Sequence, residues 1–237
     1  MKKTITLCVA LFAAGSALTA QEATPTTESA YAVTVDFPFV TKYVFRGVTL
    51  SRESLQPSLE VASGDFYAGL WNNTPLHNEH DGDASKELDL YVGWTPKITE
   101  TLKADIGATY YAYPSIADGL NDDSFEVFVG VNWSLGNFTP GVYIFRDIDL
   151  NVWTLQTSVG YSIPLKSWGT SLDFNATVGA VSPQSGEAYD YYSAGVNLPV
   201  KLSDVVKLYF GLTYTENDLD NGEDPGLWGT VGITASF

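Results

Sequence analysis

The feature that most constrains this chain is a two-residue hydrophobic period that begins at Tyr31 and runs to the final residue, Phe237. Its clearest stretch is the last, where Leu227, Gly229, Val231, Ile233, Ala235 and Phe237 alternate with Trp228, Thr230, Gly232, Thr234 and Ser236. Successive side chains of an extended strand point to opposite faces, so such a segment has one apolar face and one polar or small face. The same alternation sets Leu208, Phe210, Leu212 and Tyr214 against Lys207, Tyr209, Gly211 and Thr213. Turn residues interrupt the pattern about every ten to fifteen positions, the spacing of membrane-spanning strands.

A soluble β-sandwich has the same period, so the lengths of the connections matter. The pattern predicts twelve strands, at 31–48, 54–62, 66–73, 86–98, 102–113, 123–135, 138–146, 151–163, 170–181, 189–201, 206–215 and 226–237. Even-numbered strands end in tight turns: Ser63-Gly64-Asp65, Thr99-Glu100-Thr101, Gly136-Asn137, Pro164 to Gly169, and Leu202 to Val205. Most odd-numbered strands end in longer polar segments such as TPLHNEHDGDAS and TENDLDNGEDPG, with Asp147 to Leu150 the short exception. After residue 20 no stretch approaches the roughly 18 apolar residues of a spanning helix. The expected fold is therefore all-β: a closed antiparallel transmembrane β-barrel with short periplasmic turns and longer extracellular loops. In lipid an open sheet edge would leave backbone groups without partners, so strand one must pair with strand twelve. No long inward-folding loop stands out, and any constriction is expected to come from wall residues.

The first twenty residues carry Lys2 and Lys3, then a mostly apolar run from Ile5 to Ala14, then small residues through Ala20. Residues 1–20 read as a signal peptide removed before Gln21, with a second small-x-small site ending at Ala17. Residues 21–30 read as a polar tether and 31–237 as the barrel, and the expected location is the bacterial outer membrane. Removing the signal takes away the only cysteine, Cys8, and the only methionine, which excludes disulfide scaffolds and thiolate metal sites. Of the 12 Lys and Arg, the loss of Lys2 and Lys3 leaves 10 against 28 Asp and Glu, a formal net charge of −18. Such acidity excludes nucleic acid as a partner, because phosphates want a basic surface. The 14 Tyr, 12 Phe and 6 Trp suit strands and membrane interfaces.

The segments YVFRGVTLS (43–51), LQPSLE (55–60), FYAGLW (66–71), ELDLYVGW (87–94), IGATYYAYPS (106–115) and FEVFVGVNWSLG (125–136) resemble the TorF porin family. Tyr-x-x-Arg-Gly followed by Gln-Pro is the most specific part, and Thr41-Lys42 departs from the Ser-Asp that precedes the motif tyrosine in that family. The resemblance implies a small outer-membrane barrel whose solutes are unassigned. The closing Phe237 resembles the C-terminal aromatic read by the barrel-assembly machinery. Outer-membrane lipid and lipopolysaccharide, that machinery during biogenesis, and small solutes or ions are the implied partners.

If Phe37, Phe39, Tyr43 and Phe45 face lipid, alternation turns Asp36, Lys42 and Arg46 toward the lumen. The same rule turns Glu60, Glu87 and Asp89 inward, and further along the chain Asp105, Glu126 and Asp173. Arg46 then either pairs with these acids and braces a narrow lumen, or forms with them a charged constriction that filters solutes. Inward Tyr67, Trp71, Tyr91, Tyr111, Tyr113, Tyr191 and Tyr209 either fill the interior or offer a stacking surface. His77 and His80 lie in the acidic loop HNEHDGD, where two imidazoles could meet one metal, but a solvated outer loop is the better account of them and no metal site is expected. The stretch from Asp218 departs from a calcium-loop pattern at its glycine and at its twelfth position. Both histidines share one loop with no nucleophile placed beside them, so no enzyme activity and no cofactor are expected. Two readings of function stand: a pore for small hydrophilic solutes or ions that prefers cations, and a closed structural or interaction barrel with ion-binding outer loops.

Overall fold

The computed structural model describes residues 31–76, 86–114, 123–220 and 225–237. The segments read as signal and tether, both histidines and much of the acidic loops lie outside them. Strands follow one another antiparallel: β1 (Ala32–Val40), β2 (Tyr43–Phe45), β3 (Val48–Ser51), β4 (Ser54–Leu55), β5 (Ser58–Ser63), β6 (Phe66–Pro75), β7 (Glu87–Trp94) and β8 (Leu102–Ala112). They continue as β9 (Ser124–Trp133), β10 (Phe138–Asp147), β11 (Val152–Leu165), β12 (Thr170–Pro183), β13 (Tyr189–Lys201), β14 (Val206–Asn217) and β15 (Gly226–Ser236). β4 and β5 are one stave broken at Gln56-Pro57, because proline has no amide to donate to a ladder. The ladder resumes around the break, with the Gln56 amide donating to the Pro38 carbonyl (2.9 Å) and the Asn72 amide to the Pro57 carbonyl (3.0 Å). Without the β2–β3 hairpin, which pairs only with itself, the strands form a closed barrel of twelve staves.

Closure follows the expected seam. β1 pairs with β15 from Thr34 opposite Ser236 to Val40 opposite Thr230. The seam ends on Phe237, whose amide donates to the Val33 carbonyl (2.9 Å) and whose carbonyl accepts from the Val33 amide (3.1 Å). Every backbone group along the wall can therefore find a partner within the barrel, the condition that lipid imposes.

The distribution of side chains is the reverse of a water-soluble protein. Val92 and Val178 are 54% and 58% exposed on the outside, whereas Glu87, Asp105 and Glu126 are 1% exposed on the inside. Outward Leu70, Leu90, Ile106, Val129, Ile144, Leu155, Phe210 and Val231 complete an apolar belt. Aromatic residues gather at its two margins: Phe66 stacked on Trp94, Phe138 tilted against Tyr161 and exposed Trp168 near the short turns, and Trp153, Tyr192 and Tyr214 near the loops. A belt of this kind, contiguous and girdled by aromatics, matches a bilayer and would aggregate in water.

One strand departs from the sequence reading. The first was expected to run from 31 to 48, but it ends at Val40, and the chain turns at Thr41-Lys42 and folds back into the barrel as the β2–β3 hairpin. Its strands keep the two-residue period, and that period does not tell which sheet a strand joins. Tyr43 and Phe45 accordingly do not face lipid: Tyr43 is 2% exposed and Phe45 packs against Tyr111 inside. Phe37 does face outward, and an inward-folding segment does exist.

Candidate functional site

Two layers of side chains occupy the lumen, and the first is the wall. Its inward tyrosines lie across glycines of the neighbouring strand. Tyr91 faces Gly69, Tyr143 faces Gly130 and Tyr191 faces Gly179 directly across their ladders. A Cβ built on any of these glycines would stand 2.3–2.4 Å from the ring, so only the absent side chain lets the ring lie there. Each ring thereby reaches an acceptor two strands away. Tyr91 donates to Glu60 (3.2 Å), Tyr143 to Asp105 (2.9 Å) and Tyr191 to Gln156 (2.6 Å), and in each case the acceptor is also the cross-strand partner of the glycine. Tyr67 over Gly93 reaches Asp105 (2.9 Å), and Tyr209 over Gly232 reaches Asp36 (2.8 Å), on diagonals of the same design. These rings are spread on the wall and tied to its acids or, for Tyr191, to Gln156, a third arrangement beside the lumen-filling and stacking roles weighed from the sequence.

The second layer is the hairpin. Its two-residue turn is Arg46-Gly47, with φ of +46° and +85°, the left-handed pair that a type I′ turn needs. Glycine is required at the second position for conformation and for space, since a Cβ on Gly47 would stand 2.4 Å from the Tyr191 Cβ. The hairpin is tied to the wall on several sides. Tyr43 donates to Glu87 (2.8 Å) and packs on Trp71, with ring centroids 5.2 Å apart. The Arg46 guanidinium grips both oxygens of Glu126 (2.7 and 2.8 Å) and lies between the rings of Phe45 (4.8 Å) and Phe145 (4.6 Å). Asn217 donates to the Gly47 carbonyl (2.7 Å). At the base, Val40 and Val44 pack with Trp228, whose indole N–H donates to Thr215 (3.1 Å), and Ser51 meets Ser54 (2.8 Å). These anchors lie on β6 to β10 on one side and β13 to β15 on the other, so the hairpin crosses the lumen near its loop end.

The six residues singled out in the sequence do not form the single cluster that alternation suggested. Asp36, Glu60, Glu87 and Asp89 do face inward and are buried. Glu60 and Asp36 belong to tyrosine rungs, and Glu87 accepts from Tyr43 and from Tyr113 (3.2 Å). Arg46 pairs with Glu126, which Tyr111 also serves (3.0 Å), and not with Glu60, Glu87 or Asp89. Lys42 sits at the turn into the hairpin, where its ammonium donates to the Pro225 carbonyl, away from those acids. Sequence reasoning gave Glu126 its inward direction but not its partner, because a turn at Thr41-Lys42 carries Arg46 across the barrel. Asp147 and Asp173 are two further buried inward acids. Among the described residues, no group of three or more His, Cys, Asp or Glu is arranged to hold a metal ion.

A family model for a bacterial protein of unknown function, Gcw_chp, matches residues 22–223, which include the hairpin and all but the last stave. The chain belongs to the Gcw_chp family. No match was found among curated proteins. Solved structures share the architecture of this Gcw_chp member. The KdgM porin superposes with a TM-score of 0.56 at 10% identity, covering 86% of this chain and 99% of that one. The NanC porin gives 0.53 at 14% identity, covering 86% and 98%. LpxR from Salmonella typhimurium gives 0.51 at 11% identity, covering 85% and 99%. At these identities the likeness is one of fold.

Proposed function

We propose that this Gcw_chp protein is an outer-membrane porin-like barrel that passes small hydrophilic solutes or ions, with the β2–β3 hairpin as its constriction. The observation that carries the reading is the pairing of an apolar outer belt with a polar lumen across which a tethered hairpin lies. The porin-like fold of the KdgM and NanC structures supports it, as does the resemblance to the TorF porins. In this reading residues 1–20 are a cleaved signal, both termini are periplasmic, and neither catalysis nor a cofactor has a part.

The passage is proposed to prefer cations. Asp36, Glu60, Glu87, Asp89, Asp105, Glu126, Asp147 and Asp173 are all buried toward the lumen, whereas the bases of inward parity, Lys42, Arg46, Lys97, Lys103, Lys201 and Lys207, are fewer. Rings of fixed acid raise local cation concentration and repel anions. A similar structure is the KdgM porin in complex with disordered oligogalacturonate, a polyanion, and a lumen of this sign suits such a solute poorly. The closed-barrel reading also has an observation in its favour, because the hairpin is anchored on both sides of the lumen by Tyr43, Arg46 and Gly47. Planar-bilayer recording separates the two. Discrete conductance steps with a cation-positive reversal potential support the pore, and silence from folded protein supports the closed barrel.

A further inference from the structure

The contact between Arg46 and the wall is asymmetric in a way that suggests a binding site. Its wall half is built on three adjacent staves. Glu126 stands on β9, with a hydroxyl from Tyr111 on β8 fixing one of its oxygens (3.0 Å). Phe145 stands on β10, 2% exposed, stacked on Tyr143 with centroids 5.7 Å apart and packed on Phe128 at 5.9 Å. A carboxylate held with both oxygens forward beneath an aromatic face is the complement of a planar guanidinium, which takes two parallel hydrogen bonds and stacks. The occupant half is held differently. Arg46 sits at the tip of a hairpin that shares no ladder with the barrel, in a left-handed conformation that a residue with a Cβ adopts at a cost.

We infer that Glu126, Tyr111 and Phe145 form a guanidinium-binding slot in the lumen, that Arg46 is its built-in occupant, and that small solutes carrying a guanidinium head compete with Arg46 for it. Displacement releases one of the two ties at the hairpin tip and leaves the other, Asn217 on the Gly47 carbonyl (2.7 Å), so in a conducting barrel the ligand that takes the slot loosens the constriction; this second step rests on the pore reading, and the slot itself does not. An ammonium ion fits less well, because it lacks the planar fork that meets both carboxylate oxygens.

The test is chemical rescue in full-length barrel folded in detergent. Arg46→Ala empties the slot, and millimolar guanidinium, compared with equal sodium, should then raise the temperature at which the barrel loses its heat-modified gel mobility. Arg46→Ala/Glu126→Gln should lose the response. No guanidinium-specific shift in folded Arg46→Ala, an equal shift in the double variant, or a shift given only by an arginine-bearing peptide and not by free guanidinium would each overturn the slot. If Arg46→Ala does not fold, Arg46→Lys serves: its ammonium leaves the fork unfilled, so guanidinium must still stabilise it more than sodium does, and equal effects overturn the assignment. In bilayers, wild-type conductance should rise saturably with guanidinium but not with sodium at matched ionic strength. Rescue in detergent without any conductance refutes the pore while leaving the slot standing; conductance that ignores guanidinium refutes displacement.

Discussion

At the scale of single residues, the inner wall depends on side chains that are missing. Gly130 lets the Tyr143 ring lie against the wall close to its own stem, where the nearest ring atoms to an added Cβ are Cδ1, Cε1 and Cγ at 2.3–2.6 Å. A stem has little freedom to yield, so Gly130→Ala should turn Tyr143 off the wall and away from Asp105, at about 1–3 kcal/mol. Gly211 is a matched control, since an added Cβ there meets its nearest neighbours at 3.5 Å. Denaturant unfolding in detergent should show a loss for Gly130→Ala and little change for Gly211→Ala; equal effects would remove the basis for the rungs. The inward direction of Tyr143 and Gly130 follows from counting alternate residues. That they face one another does not, because register across a ladder is set by turn lengths and pairing that a single strand's sequence does not carry. The same limit hid the partner of Arg46: parity gave the inward face of Glu126, and only the turn at Thr41-Lys42 brings the two together.

At the scale of elements, the hairpin is separable from the wall. β2 and β3 bond to one another and to no stave, whereas β1 pairs with β4, β5 and β15 on either side of them. Replacing residues 43–51 by a short turn should therefore leave heat-modifiable migration intact and raise single-channel conductance several-fold. Unchanged conductance in a folded deletion would mean that the constriction lies elsewhere. A subtler variant, Tyr43→Phe, removes one of two hydroxyls serving Glu87 and should cost about 1.5–3 kcal/mol, the range for hydrogen bonds to charged groups, while Tyr113 continues to hold the acid. Eleven of the twelve staves were legible from alternation and turn residues, and the twelve-stave total survives because the misread first strand still contributes one. The hairpin was not legible as such. Its Arg-Gly pair is a type I′ signal only once the flanking residues are known to pair with each other, and an unbroken period of two concealed that they do.

At the scale of the whole molecule, the seam and the charge of the lumen govern behaviour. Deleting Phe237 removes both backbone bonds to Val33, and folded barrel should fall markedly while synthesis continues, measured as heat-modifiable protein recovered from membranes. The balance of charge gives a second expectation. Arg46→Ala leaves Glu126 without its cation, so the reversal potential in a salt gradient should move further toward cation selectivity in protein that still folds; an anion-selective wild type or an unmoved potential would sink the proposed filter. Net acidity and inward parity are the sequence features from which this sign is proposed; they do not reveal the bridge between Arg46 and Glu126. The position of the hairpin also fixes an order of events. It lies directly after the first stave, yet its tip rests on Tyr191 and Asn217, the latter bonded to Gly47 across 170 residues of chain. Contacts of such separation are made late and slowly. A hairpin with Arg46 at its tip and no ladder to the wall has no route through lipid, and a closed wall has no side entrance, so the segment must be carried in ahead of the final pairing of β1 with β15, or threaded afterwards through the mouth. The earliest loop of the chain thus completes its folding among the last strands to arrive.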